Sequence, residues 1–170
     1  MTVSSTPVQL DAELSFESFV ADHQVRLRRY ALALTRNTAD ADDLLQTTLV
    51  KVYLAWHRIE DPAQVVAFAR TTMSRSYVSA WRRWGRHEAP IADLPDRPSP
   101  GTDPLADRDL IWRGLDRLGR RQRAVVVLRY LEDLELSAIA EILGISIGTV
   151  KSQLSRALDN LRDYLGSDQS

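Results

Sequence analysis

The 170-residue sequence contains no cysteine. That excludes disulfides and any zinc site built on thiolates. His23, His57 and His87 are scattered without metal-ligand spacing, so neither a metal nor another cofactor is expected. Lysine is nearly absent: of 22 cationic residues only Lys51 and Lys151 are not arginine, a bias that guanidinium contacts or a GC-rich coding genome would each produce. No apolar run approaches the roughly 20 residues that span a bilayer, so no membrane partner is expected. Met1 to Leu14 lacks both the basic residue and the apolar stretch of a secretory signal, which points to the cytoplasm. A Gly-rich phosphate loop and a nucleophile elbow are also missing, which argues against an enzyme and against a small-molecule substrate.

What is present is charge arranged in blocks. The net charge of −1 conceals them. Pro62 to His87 holds no acidic residue but carries Arg70, Arg75, Arg82, Arg83 and Arg86. A second basic stretch runs through Arg113, Arg117, Arg120, Arg121, Arg123 and Arg129, opposed only by Asp116. Acid gathers at Asp40, Asp42 and Asp43, and again between Glu88 and Asp109. Local sign, more than the total, determines which partner a surface attracts.

Five of the seven prolines fall between Pro90 and Pro104, among Asp, Ser and Gly. Such a stretch sustains no helical periodicity and has little to bury, so it reads as a linker. Both flanks carry apolar residues at three- and four-residue spacing, as in Phe16, Phe19, Val20, Leu27, Tyr30, Ala31 and Leu34. A break at Thr35 to Thr38 precedes a second helix from about Ala39, and Asp61-Pro62 opens a third that runs to about Gly85. Leu110 to Leu118, Arg120 to Leu131, Leu136 to Leu143 and Ile147 to Leu165 give four more. Ala124 to Leu128 is β-prone but lies between helix formers.

The expectation is therefore an all-α chain of two small helical domains, the second a four-helix domain. Its parts are a disordered N-terminus (1–14), a first domain (15–87), an acidic Pro/Asp-rich linker (88–108), a second domain (109–166) and a short tail (167–170). Nothing regulatory is expected to follow Leu165.

The sharpest local signal is Ile139 to Val150. Two helices crossing at about 90–120° over a short turn need a small residue at their contact, and Ala140 supplies it. Gly144 can leave the first helix with positive φ, and Ser146 can cap the second through the Thr149 amide. Glu135 is a poor cap for the first helix, so Asp133 is the expected substitute. Val150, Leu154, Ala157 and Leu161 form an apolar stripe. The opposite face carries Gly148, Thr149, Ser152, Ser155 and Arg156, small and polar enough for a major groove. This reads as a helix-turn-helix.

In the third helix Tyr77, Trp81 and Trp84 are spaced by four and three, beside Arg82, Arg83 and Arg86. Aromatic faces accept unstacked bases while arginines track phosphate. The alternative is that Tyr77 and Trp81 pack in the core and only the arginines meet nucleic acid. Asp43 and Gln46, three apart, share a helix face that suits a partner helix.

Leu118-Gly119-Arg120-Arg121-Gln122-Arg123-Ala124-Val125-Val126-Val127-Leu128-Arg129-Tyr130, with the helix-turn-helix ending Gly148-Thr149-Val150-Lys151-Ser152, closely resembles domain 4 of bacterial RNA polymerase sigma factors. Asp40-Ala41-Asp42-Asp43-Leu44-Leu45-Gln46 resembles the core-binding stretch of their domain 2. Two helical domains with a short linker are similar to the extracytoplasmic-function group, and Leu45 to Trp56 is similar to its actinobacterial sigma-E branch.

The resemblance implies core RNA polymerase (clamp and flap) and promoter DNA as partners, with any anti-sigma regulator a separate protein. It implies that Asp42, Asp43, Leu44, Gln46 and Thr47 contact the clamp. Arg58, Arg75, Tyr77, Trp81, Arg82, Arg83, Trp84 and Arg86 would read and open the −10 element. Arg120, Arg121, Arg123, Gly148, Thr149, Lys151, Ser152, Gln153, Ser155 and Arg156 would hold the −35 element. Thr47 stands where many relatives carry Glu, Arg75 where they often carry Asn, and Gln153 where they often carry Arg. The linker would thread toward the active-site cleft, or serve only as a tether. Ser137 to Leu165 balances three cations against three anions, so the helix-turn-helix is expected to bind DNA weakly unless tethered. The competing reading is a stand-alone helix-turn-helix regulator whose first domain senses a signal or dimerises.

Overall fold

The computed structural model describes residues 8–84 and 106–167, and every regular element in them is helical. Most of the expected linker therefore lies outside the described residues. The helices are α1 (Val8–Thr35), α2 (Thr38–Ala55), α3 (Pro62–Trp84), α4 (Ala106–Asp116), α5 (Arg120–Tyr130), α6 (Leu136–Leu143) and α7 (Ile147–Ser167), with one 3₁₀ turn at Trp56–Arg58. α1 begins at Val8, inside the segment expected to be disordered. After Pro7 no helix breaker interrupts Val8 to Leu14, so the helix continues backward from its anchored part. α4 begins at Ala106, taking in residues assigned above to the linker.

Local chemistry sets the helix ends. Arg36 adopts φ 55°, the left-handed conformation that closes α1. Asn37 then caps α2, its side chain accepting from the Asp40 amide at 2.9 Å. Asp61 accepts from the Ala63 amide at 2.9 Å and starts α3. At α6 the expected side-chain cap is missing. Glu135 occupies the cap position without such a bond, and Asp133 lies in the left-handed region at φ 52°. The turn is held instead by Arg129, which donates to the Leu134 carbonyl at 2.9 Å.

α1, α2 and α3 bury one face each around Leu27, Leu34, Leu44, Val52, Ala69 and Met73. α5, α6 and α7 close a second core of Ala124, Val125, Leu128, Ile139, Leu143 and Val150. The two are not separate. Leu115, Leu118, Val126 and Val127 belong to the first core, Val78 of α3 belongs to the second, and Tyr77 touches both. α5 is buried on both sides, from Ala124 through Leu128, because one flank faces α6 and α7 while the other faces the first unit.

Polar clips reinforce this seam. Arg36 pairs bidentately with Asp116 at 2.6 and 2.9 Å and lies 4.8 Å from the Trp112 ring centroid. Arg70 pairs with Glu132 at 3.3 Å, where burial pushes the carboxyl above its ordinary range. Nearby, the buried Tyr30 hydroxyl bonds Ser74 at 2.6 Å, and burial pushes its phenol up.

Candidate nucleic-acid interface

The helix-turn-helix forms as its sequence directs. Gly144 takes φ 64° and ψ 39°, and the Ile145 amide returns to the Ala140 carbonyl at 3.1 Å, closing α6. Ser146 accepts from the Thr149 amide at 3.1 Å and opens α7. Val150 and Ala157 are fully buried, with Leu154 and Leu161 packed on the core beside them. The opposite face of α7 presents Gly148, Lys151, Ser152, Ser155 and Arg156 to solvent. Thr149 and Gln153 are half-buried, and the Thr149 hydroxyl is engaged with Ser146 at 2.8 Å. A Cβ at Gly148 would meet only the Ser146 hydroxyl, at 3.8 Å, so packing does not require glycine there. A bare backbone at the start of this helix suits close approach of a DNA strand.

Gly144 is constrained differently. Its φ disfavours any other residue, and a Cβ there would overlap the Arg82 guanidinium. Gly144→Ala is expected to lose about 1–2 kcal/mol from the left-handed conformation alone. A lowered urea midpoint with an unchanged slope would show this.

α3 places its expected residues unevenly. Arg58, in the preceding 3₁₀ turn, is exposed, as are Arg82 and Arg83 near the α3 end. Arg75 is exposed and 3.9 Å from Glu141. Tyr77 and Trp81 are partly buried against the second core. Burial pushes the Tyr77 phenol up, and the neighbouring Arg123 guanidinium partly offsets the effect. Arg121 stands 5.1 Å from the Trp81 ring centroid. Arg82 donates to the Leu143 carbonyl at 2.6 Å. Trp84 closes α3 with its side chain outside the described residues, and Arg86 lies beyond them.

Of the second basic stretch Arg117, Arg120 and Arg121 are exposed. Arg123 is 9% exposed, its guanidinium pushed down by desolvation, and its Nε has no partner among the described residues. It faces the seam between the two units, since its position on α5 is the one Tyr77 covers.

α2 carries a third surface. Its buried face is Ala41, Leu44, Thr48 and Val52, so Leu44 anchors the helix in the core. Arg28 holds Asp42 through a 2.6 Å bond that draws the carboxyl below its usual range. Asp43, Gln46 and Thr47 are exposed. The same face continues into Val50, 59% exposed, and Leu54, 71% exposed, which the sequence reading did not single out. Their signal was available: apolar residues one and two turns beyond Gln46, off the buried register. Together these residues form an acidic-to-apolar stripe suited to a partner helix.

A helix-turn-helix, a basic-aromatic helix and an acidic-to-apolar helix define an all-helical, DNA-binding class of protein. Residues 19–87 match the family model described as Sigma-70 region 2, and residues 114–163 match Sigma-70, region 4. The chain is 41% identical over 153 residues to the RNA polymerase sigma-E factor of Streptomyces coelicolor, covering 89% of this chain and 86% of that one. It is 29% identical to the sigma factor SigV of Bacillus subtilis, covering 86% and 88%. Among solved structures it is similar to the sigma factor RpoE in complex with the anti-sigma factor NepR from Bartonella quintana. The TM-score there is 0.65 at 26% identity, covering 90% of this chain and 98% of the other. The chain belongs to the extracytoplasmic-function group of RNA polymerase sigma factors, non-enzymatic initiation factors that direct polymerase to promoters.

Proposed function

We propose that this sigma factor grips polymerase and promoter at three places on its own surface. The α2 stripe of Asp43, Gln46, Thr47, Val50 and Leu54 docks on the polymerase clamp. The α3 face of Tyr77, Trp81, Arg82 and Arg83 receives the opened −10 strand, aromatic rings taking bases and guanidinium groups taking phosphates. The α7 face of Gly148, Lys151, Ser152, Ser155 and Arg156 enters the major groove of the −35 element. Residues 15–87 and 109–166 are the two working units, and the acidic linker between them follows the basic channel of the polymerase. The protein works in the cytoplasm, where polymerase is.

One observation carries this reading: the capped recognition helix exposes an uncluttered polar face beside Gly148, with packing complete behind it. The stand-alone regulator left open by the sequence is set aside by the match to both sigma regions. Similarity to a sigma factor solved with its anti-sigma factor supports a separate inhibitory protein as a further partner. The deciding experiment adds purified chain to core polymerase on genomic DNA and sequences the transcripts. A common upstream motif at their starts is expected, and polymerase that starts no differently with the chain than without it would overturn the reading.

Arg156→Ala is expected to weaken −35 binding by about 1–3 kcal/mol if the guanidinium reads a base edge. If it contacts only phosphate, the logarithmic salt slope drops by about one instead. Fluorescence anisotropy of holoenzyme on duplex DNA at several salt concentrations separates the two.

A further inference from the structure

A buried ion pair that only clips two elements together closes tightly, because each donor or acceptor left unmatched carries its own desolvation cost. Arg36 and Asp116 behave this way, with bidentate bonds at 2.6 and 2.9 Å. Arg70 and Glu132 do not. Their closest approach is 3.3 Å, although the Glu132 side chain is only 9% exposed. A good charge-assisted bond is about 2.7–2.9 Å. Desolvation outweighs the pull of Arg70, so the Glu132 carboxyl stays above its ordinary range. The pair keeps unused donor and acceptor capacity, and it keeps it beside open space. A cleft of about 320 Å³ lies between α3 and the turn after α5. Val66, Ala67 and Leu134 give it apolar walls, and Arg70, Thr71 and Glu132 form its polar end. Ser74 bonds the Tyr30 hydroxyl at 2.6 Å and the Arg70 carbonyl at 2.9 Å, which fixes the α3 side of the cleft to α1.

A carboxylate only accepts and a guanidinium only donates. Side by side, they match an edge that reads donor, donor, acceptor. Among the nucleobases guanine has that edge: its N2 and N1 hydrogens donate and its O6 accepts. Adenine and cytosine each place a single donor beside acceptors, and uracil places one donor between two acceptors. Apolar walls suit the faces of a planar ring, and the volume lies at the lower end of the range for ligand pockets. Arg26, exposed on α1 and close enough for its charge to act on Glu132, supplies a cation for a phosphate.

We propose that this cleft binds the base of a free guanine nucleotide, with Glu132 accepting from N1 and N2 and Arg70 donating to O6. A free nucleotide leaves the cleft at one end, whereas a base within a strand leaves at two, and a space of this size favours the first. The walls come from α3 and from the turn between α5 and α6, so the ligand touches both units of the chain at once. The inference does not depend on which faces meet promoter DNA.

Calorimetric titration of the full chain with GMP, IMP and AMP tests it. GMP is expected to bind about tenfold or more tighter than AMP, the discrimination that a matched pair of hydrogen bonds gives a base edge. IMP should fall between them, because it lacks the 2-amino group that one Glu132 oxygen accepts. Glu132→Gln puts a donor where an acceptor is needed and should erase the preference for GMP. Leu134→Trp fills the cleft from its apolar wall and should abolish binding of all three. GMP should also raise the thermal unfolding midpoint of the wild-type chain, increasingly with concentration, and leave that of Glu132→Gln unmoved. The midpoints without nucleotide report whether each variant has folded.

Equal binding of the three nucleotides by the wild-type chain, or binding of none, would overturn the proposal without any variant. A preference for GMP that survives in folded Glu132→Gln would overturn it as well. A last arm compares two short single-stranded oligodeoxynucleotides that differ by one guanine in place of adenine. A larger preference there than between GMP and AMP, lost in Glu132→Gln, would overturn the free nucleotide and give the cleft to DNA. Neither polymerase nor promoter enters these titrations, so their failure leaves the initiation-factor reading untouched.

Discussion

Asp43→Arg is expected to abolish binding to core RNA polymerase while leaving the helical content and unfolding midpoint close to wild type. Asp43 lies in the first turns of α2, exposed, on the face opposite Ala41, Leu44, Thr48 and Val52. Reversing its charge removes nothing from the core. The cost to the fold is the loss of an anion near a helix N-terminus, about 0.3–1 kcal/mol. The cost to the interface is larger, because a charge pair broken at a desolvated contact loses about 2–5 kcal/mol. At 1.4 kcal/mol per tenfold, that is a fall in affinity of about 30- to 4,000-fold. Asp42 provides the internal comparison. It is already held by Arg28 within the chain, so its substitution is expected to disturb polymerase binding less. Circular dichroism checks the fold and anisotropy of labelled protein against core polymerase reads the binding; retained affinity in the Asp43 variant would sink the clamp assignment.

The value of that comparison depends on α2 having a defined inner and outer face, and this was legible in the sequence. The acidic residues and Gln46 at three-residue spacing marked an outer face, although the resemblance put Leu44 on it and the fold buries Leu44 with Ala41, Thr48 and Val52. The helix-turn-helix was legible for a similar reason: Gly144, Ser146 and the stripe from Val150 to Leu161 each solve a local problem with a local residue. What could not be read were consequences of two chain segments meeting. The run Ala124 to Leu128 has no amphipathic period, which made it look β-prone. It is apolar all round because α5 is covered by both units. Arg123 looked like one more cation of a DNA-facing stretch, yet its α5 position turns it toward Tyr77. Trp81 could have stacked on bases or packed in a core. It is partly buried against the second core, with the Arg121 guanidinium 5.1 Å from its ring centroid. Asp133 was the expected cap of α6, but its left-handed backbone points the chain into a tight turn that no side-chain cap closes.

The same two-sided burial makes α5 the most sensitive point of domain 4, and Leu128→Ala is the second large effect to expect. Leu128 is 1% exposed and packs with Val125, Ile139, Leu143 and Val150, the residues that fix the angle between α6 and α7. Truncating a buried leucine costs about 2–5 kcal/mol, with the larger values where the cavity cannot collapse. Here the cavity would sit among helices held on opposite sides, by α3 and by α7, so little collapse is available. A unit of this size has a total stability of about 3–9 kcal/mol at 0.05–0.15 kcal/mol per residue. A loss in that range leaves much of domain 4 unfolded at working temperature, while the core around Leu27, Val52 and Met73 keeps its own packing. Hydrogen exchange should therefore quicken across α5, α6 and α7 and change far less in α2. The variant should still bind core polymerase through Asp43 and lose −35 recognition, separating the two grips without a substitution at either. Uniform loss of protection across all helices would show instead that the shared seam makes the chain a single cooperative unit.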